Sequence, residues 1–171
     1  MMYPLFKLLE AATDAASKGL ITIDEAHHDI HDGVHFTVNY VMTTATSATV
    51  LITNPSTGGY VHLIPFVEIS DKTASHTWTV SKDPGASGGS VLTAINNYIG
   101  HENQASVVFT NAPTFVSTGT ILETHYIGAG NSSPFSVRGE WVMPPDSTMM
   151  IRASTGASAP VSFNLYFDEH M

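Results

Sequence analysis

From residue 36 onward the chain alternates between short apolar segments and turn sequences, at intervals of roughly ten residues. The apolar segments are rich in β-branched and aromatic residues, which fit the pleated surface of a β-sheet. The separators at 54–59, 83–85 and 144–146 carry the Pro, Gly, Asn and Asp residues that favour turns. Many short strands at this spacing are typical of a sandwich or barrel. We therefore predict a single all-β sandwich domain over residues 36–171, jelly-roll-like in topology. An immunoglobulin-like sandwich is the alternative topology.

The predicted strands are the segments in which β-branched and aromatic residues dominate. They cover residues 36–43, 48–53, 60–69, 76–81, 91–96, 106–110, 121–127, 139–142, 148–154 and 161–167. A Gly- and Ser-rich stretch at 85–90 is too short to be an interdomain linker. We predict that it forms a mobile loop between strands.

The first 35 residues lack this strand pattern. Leu5, Leu8, Leu9 and Ala12 are spaced so that they share one face of a helix. We therefore predict an N-terminal arm over residues 1–35 that contains a short amphipathic helix. A helix that folds back onto its own β core is the alternative.

Residues 24–35 contain four of the nine histidines of the chain, together with four carboxylates. The Asp32-Gly33 turn signal argues against a continuous helix here, so an extended segment is favoured. Alternate side chains of an extended segment share a face. One face then carries His27, Asp29, His31 and His35, and the other carries Ile30, Val34 and Phe36.

Imidazole and carboxylate groups both bind divalent metals, so His27, Asp29 and His31 are an alternative metal site. Their spacing matches no zinc-protease motif, because the glutamate precedes the histidine pair. The favoured interpretation is a polar arm whose histidines are solvated or hydrogen-bonded at a subunit contact. We predict no metal and no cofactor.

Composition and missing motifs exclude several functions. The net charge is −9 and the six basic residues are scattered, whereas nucleic-acid binding needs a basic cluster. No apolar run approaches the roughly 18 residues of a membrane helix. The chain has no cysteine and no phosphate-binding loop. We predict that it is not an enzyme and binds neither nucleic acid nor membranes.

Aromatic residues in the strands could form a platform that stacks on sugars. Core or cross-strand packing is the more common role of such residues. The candidates are Tyr60, Trp78, Tyr98, Tyr126, Trp141 and Tyr166.

Two segments carry a resemblance to a known family. The first spans residues 25–38: Glu-Ala-His-His-Asp-Ile-His-Asp-Gly at 25–33, followed by the start of the first strand, Val-His-Phe-Thr-Val. The second begins with Gly-Glu-Trp-Val-Met-Pro-Pro at 139, continues through Ile151-Arg152, and ends with Tyr-Phe-Asp-Glu-His at 166–170. Both resemble the head decoration, or cement, proteins of tailed phages.

The resemblance implies a β-sandwich on the outer capsid surface of the virion that binds the major capsid protein, often as a homotrimer. It also implies an arm that reaches neighbouring subunits. A carbohydrate- or receptor-binding module of a phage fibre or tail is the alternative function. The predicted oligomer or capsid contacts are Tyr3, Leu5, Phe6, Leu9, His27, His28, His31 and His35.

Overall fold

The computed structural model describes residues 32–69, 74–129, 134–136 (backbone only) and 141–170 of the 171-residue chain. The predicted N-terminal helix and most of the predicted arm lie outside the described residues. Apart from the helical residue Asp32, every secondary-structure element in the described ranges is a β-strand. In chain order the strands are β1 (His35–Asn54), β2 (Tyr60–Ile69), β3 (His76–Lys82), β4 (Gly85–Ser87), β5 (Ser90–Leu92), β6 (Ile95–Asn96), β7 (Val108–Asn111), β8 (Thr114–Ser117), β9 (Thr120–Ile127), β10 (Pro134–Ser136), β11 (Trp141–Met143) and β12 (Ser147–His170).

Two long antiparallel strands, β1 and β12, run side by side and belong to both layers of the fold. Residues 35–42 of β1 and 161–170 of β12 form a front sheet, with β2 beside β12 and β6 beside β1. Strands β10 and β11 extend the front sheet beyond β2. The remaining halves of β1 and β12 form a back sheet with β3, β9, β7 and β5.

The passage from one sheet to the other occurs without a break in either long strand. The pairing of β1 with β12 shifts register between Met42 and Ala45 and again between Ala45 and Ser47. Bulges of this kind bend strands and increase their twist. The Thr155 hydroxyl stabilises the bend by donating a 2.8 Å hydrogen bond to the Ala45 carbonyl. The predicted strand ends at 43 and 154 are therefore wrong. The residues between each pair of predicted strands form bulges within β1 and β12 instead of turns.

The two sheets pack face to face through aromatic side chains. Trp78 of the back sheet meets Phe163 of the front sheet edge-on, with ring centroids 5.8 Å apart. Phe109 of the back sheet lies 4.9 Å from Phe167 of the front sheet. Contact between rings of opposite layers defines a sandwich core. The predicted all-β sandwich is confirmed.

A small two-stranded sheet, β4 with β8, covers the outer face of the back sheet. Leu51 and Met150 point away from the main core, since their neighbours Val50 and Ile151 point into it, yet both are buried. The Arg152 guanidinium lies 5.2 Å from the Phe115 ring of β8, which places β8 over this face. The mobile loop predicted at 85–90 is thus partly wrong, because Gly85–Ser87 pairs with β8.

The segment predicted as one strand at 91–96 is also divided. Strand β5 pairs with β7 in the back sheet, whereas β6 pairs with the start of β1 in the front sheet. The segment therefore crosses from one layer to the other at the side of the sandwich. By contrast, β2 is predicted at 60–69 and found as Tyr60–Ile69.

Candidate functional site

The outward-pointing side chains of the front sheet form a continuous surface, which we call the front face. The strand register places Ile64, Tyr166, Thr37 and Ile95 in one row across four adjacent strands. Ile64 is 46% exposed, Tyr166 40% and Ile95 57%. Val41, Tyr60 and Val142 on the same face are exposed as well. Contiguous exposed apolar side chains of this kind mark interaction surfaces more often than isolated ones do.

The front face carries little charge. Among its described outward side chains, the acidic ones are Glu68 and Asp168, and none is lysine or arginine. Threonine, asparagine, serine and tyrosine supply most of the polar groups. The corresponding face of the back sheet is covered by β4 and β8, so the two outer faces of the sandwich are not equivalent.

One end of the front face carries a row of titratable side chains. His35, Asp168 and His62 lie directly opposite one another on β1, β12 and β2. Because an ionised carboxylate only accepts hydrogen bonds, Nδ1–H of His35 donates to the Asp168 carboxylate. His35 is 8% exposed and Asp168 9%. The His62 ring meets the His170 ring edge-on, with centroids 4.7 Å apart.

The N-terminal segment joins the front sheet beside this row. Gly33 adopts a φ of +69°, which a side chain would strain, and an added Cβ would lie 2.6 Å from the His101 ring. The Gly33 carbonyl accepts a 2.9 Å hydrogen bond from the Asn96 amide. The Val34 carbonyl accepts another from the backbone of Glu169, at 3.1 Å. The path of the chain into β1 is therefore fixed by contacts with β6 and β12 of the front sheet and with the loop that carries His101.

A cleft of about 240 Å³ opens between the sheets at the same end. Glu169 is the only ionisable side chain among the described residues that line it. Its carboxylate accepts hydrogen bonds from the Ser106 backbone and hydroxyl, at 2.8 and 3.0 Å, and from the Val107 backbone at 2.9 Å. This carboxylate therefore ties the end of the front sheet to the segment before β7.

Replacing Glu169 by glutamine is expected to lower the free energy of unfolding by about 1–2 kcal/mol. The amide keeps one acceptor oxygen but loses the negative charge that strengthens three hydrogen bonds. Urea denaturation measures the change. Glu102→Gln, at an exposed position, is the control and should leave stability within about 0.5 kcal/mol of the wild type. Equal losses from both substitutions would contradict the role given to Glu169.

The structure describes only one of the contact residues predicted from sequence, His35. It opens β1, points outward from the sheet and hydrogen-bonds to Asp168, while Phe36 points into the core. The predicted extended segment begins only at His35 within the described residues, because Asp32 has helical geometry and Gly33 adopts a positive φ. The prediction that His35 contacts a partner stays a prediction. The other predicted contacts and the alternative metal ligands lie outside the described residues: Tyr3, Leu5, Phe6, Leu9, His27, His28, Asp29 and His31.

The six aromatic candidates for a sugar platform do not share one surface. Trp78 is buried in the core, and Trp141 packs against it from the edge. Tyr60 and Tyr166 lie on the front face, whereas Tyr126 lies on β9 of the back sheet. Tyr98 follows β6 and is 43% exposed, so at most three of the six could contact one ligand at the front sheet.

Sequence reasoning missed the front face, although one signal pointed to it. Strand β2 has apolar residues at inward positions, but Tyr60, Ile64 and Phe66 also occupy outward positions. A strand that is apolar on both faces is typical of a sheet that is covered on both sides. The apolar residues on both faces of β2 could have identified the front face as a surface that requires a partner.

Chemically, the described residues offer an association surface. Within the described ranges, no group of three or more His, Asp or Glu side chains could hold a metal ion. Nor does this part of the chain contain a helix long and apolar enough to cross a membrane. No protein-family model matches the chain, and a search of curated proteins finds no significant relative.

Proposed function

We propose that this chain is a capsid decoration, or cement, protein that binds the major capsid protein on the outer surface of a phage head and stabilises its junctions. The observation that carries the proposal is the front face, an exposed and almost uncharged sheet surface. The resemblance of residues 25–38 and 139–170 to proteins of this kind is the second support for the proposal.

The chemistry of the front face suits a flat protein partner. Burying an unpaired charge is costly, whereas hydroxyl and amide groups can exchange water for partner hydrogen bonds at much lower cost. Tyrosine is enriched at interfaces because it combines apolar area with one polar group. Ile64, Tyr166 and Ile95 would supply the buried centre of such a contact.

The overall charge supports the outer capsid surface as the location. A net charge of −9 without a basic cluster suits a protein that is kept away from packaged DNA. A homotrimer, as the resemblance implies, would present three front faces to the capsid. Weak individual contacts then add through multivalency.

Substitution of Ile64 by lysine is expected to weaken binding to purified capsids at least tenfold, about 1.4 kcal/mol or more per contact. The side chain points outward, so the substitution places a charge in the proposed interface without disturbing the core. Occupancy is measured by sedimenting capsids with increasing amounts of protein. Val116→Lys on β8, also at an exposed apolar position, is the control and should bind as the wild type does.

Unchanged occupancy for Ile64→Lys, with circular dichroism showing an intact fold, would rule out the front face as the capsid contact. The alternative function is a carbohydrate- or receptor-binding module of a fibre or tail. Tyr60 and Tyr166, both exposed on the front face, would supply its stacking surfaces. A glycan array separates the two functions, since a cement protein should bind none of the sugars.

A further inference from the structure

Strand β9 is the last strand of the back sheet on its side. It pairs with β3 along one edge, and among the described residues no strand pairs with its other edge. Edge strands are usually protected from association by lysine, proline, short length, β-bulges or inward-pointing charged residues. Strand β9 contains neither lysine nor proline, but it has a bulge near Ile121 and the inward-pointing Glu123. Since the bulge lies at the start of the strand and the Glu123 carboxylate is paired with His125, the regular stretch from Glu123 to Ile127 is the part of the edge open to pairing.

The side chains of β9 are exposed and apolar on one face of the sheet. Tyr126 lies opposite Thr77 and is 71% exposed. Ile121, near the bulge at the start of the strand, is 54% exposed, and Leu122 is exposed as well. The apolar side chains lie at the two ends of the strand, and Thr124 lies midway between Leu122 and Tyr126.

The opposite face of β9 carries one acidic and one basic group. Glu123 and His125 point to the same side as Trp78 and Val80 of β3. Nε2–H of His125 donates to the Glu123 carboxylate within the strand. Both side chains remain partly exposed. The acidic and the imidazole group thus lie one residue to either side of Thr124.

We propose that two copies of this chain associate by antiparallel pairing of their β9 strands, about a two-fold axis at Thr124. In this register Glu123 lies opposite His125 of the partner subunit, and Leu122 lies opposite Tyr126 of the partner subunit. The symmetry axis makes each of these pairings occur twice. The sequence of β9 is therefore complementary to itself in both charge and apolar character.

Neighbouring registers lack this complementarity. An axis at Glu123 would place two Glu123 carboxylates directly opposite each other, and like charges in that position destabilise a sheet. An axis at His125 would oppose two imidazoles and would place Glu123 opposite Ile127 of the partner subunit. Two-fold association requires the same surface on both copies, and an antiparallel edge pair meets that requirement.

This contact is separate from the front face, and it does not depend on the proposed function. It also predicts a dimer, whereas the resemblance to decoration proteins implies a trimer. Pairing along one short edge makes a small interface, so we expect a dissociation constant in the micromolar range, roughly 1–100 μM.

The test is sedimentation equilibrium of the full chain over a range of concentrations. The wild type should show a reversible monomer–dimer equilibrium. Thr124→Lys places two ammonium groups opposite each other at the axis and should weaken the dimer at least tenfold. Thr93→Lys, at an exposed position near the opposite edge of the back sheet, is the matched control and should leave the dimer unchanged.

A charge exchange tests the register itself. His125→Glu should abolish the dimer, because each Glu123 then faces a carboxylate. The double variant Glu123→Lys/His125→Glu should restore it, since opposite charges face each other again. A wild type that stays monomeric up to millimolar concentration would overturn the proposal. So would a dimer or trimer that Thr124→Lys leaves intact.

Discussion

Replacing Phe167 by alanine is expected to lower the free energy of unfolding by about 3–5 kcal/mol. The side chain is completely buried, and it joins rings from three strands. It stacks on Phe36 with centroids 5.3 Å apart and meets Phe109 of the opposite sheet at 4.9 Å. Alanine leaves a cavity at the contact between the two sheets. Because β1 and β12 are paired along their length, neither strand can move into the cavity without moving the other.

The adjacent residue supplies a matched control. Tyr166 precedes Phe167 on β12 but points to the front face and is 40% exposed. Tyr166→Ala should therefore change stability by no more than about 1 kcal/mol. Urea denaturation of both variants measures the difference. A large loss of stability in Tyr166→Ala would mean that Tyr166 packs within the monomer. That result would contradict the claim that the front face is available to a partner.

The strands that the sequence predicts best are those whose signals are local. Residues 60–69 are a run of mostly β-branched and aromatic residues that follows the turn sequence at 54–59, so β2 is predicted over its full length. The failures have non-local causes. Strand β4 is only three residues long, and it forms because β8, some thirty residues later, pairs with it. No periodicity within 85–87 could reveal that partner.

Turn chemistry also misleads where the chain bends without turning. Residues 154–156, Ser-Thr-Gly, have the composition of a turn, yet they lie inside β12. The Gly156 amide donates a 2.9 Å hydrogen bond to the Ser75 carbonyl, and the Thr155 hydroxyl bonds to Ala45. Small and hydroxyl-bearing residues serve bulges as well as turns, so composition alone cannot distinguish a bent strand from two strands.

The candidate site was only partly predictable for a related reason. Alternation along β2 shows which residues share a face, but it does not show whether another element covers that face. The back sheet is covered by β4 and β8, two strands that the sequence does not predict. The apolar outward residues of β2 indicate that its outer face is covered by something, but only the exposure of the two outer faces shows that no described element covers the front face. Of the four histidines at 24–35, His35 alone lies within the described residues.

Removal of the Asp168 carboxylate is expected to lower the free energy of unfolding by about 2–3 kcal/mol in the variant Asp168→Ala. The carboxylate is the acceptor for Nδ1–H of His35, and both side chains are buried. Alanine leaves that donor without its acceptor at the first residue of β1, where the N-terminal segment joins the sheet. Asp168→Asn retains an acceptor oxygen without the charge and should lose about half as much.

A double-mutant cycle with His35→Ala separates this hydrogen bond from general packing effects. Because the two side chains stabilise each other, the loss in His35→Ala/Asp168→Ala should be at least about 1 kcal/mol smaller than the sum of the single losses. Additive losses would show that the pair contributes no coupling energy.

The same variants report on the N-terminal arm. If the His35–Asp168 pair fixes the start of β1, limited proteolysis should cleave near residue 32 faster in Asp168→Ala than in the wild type.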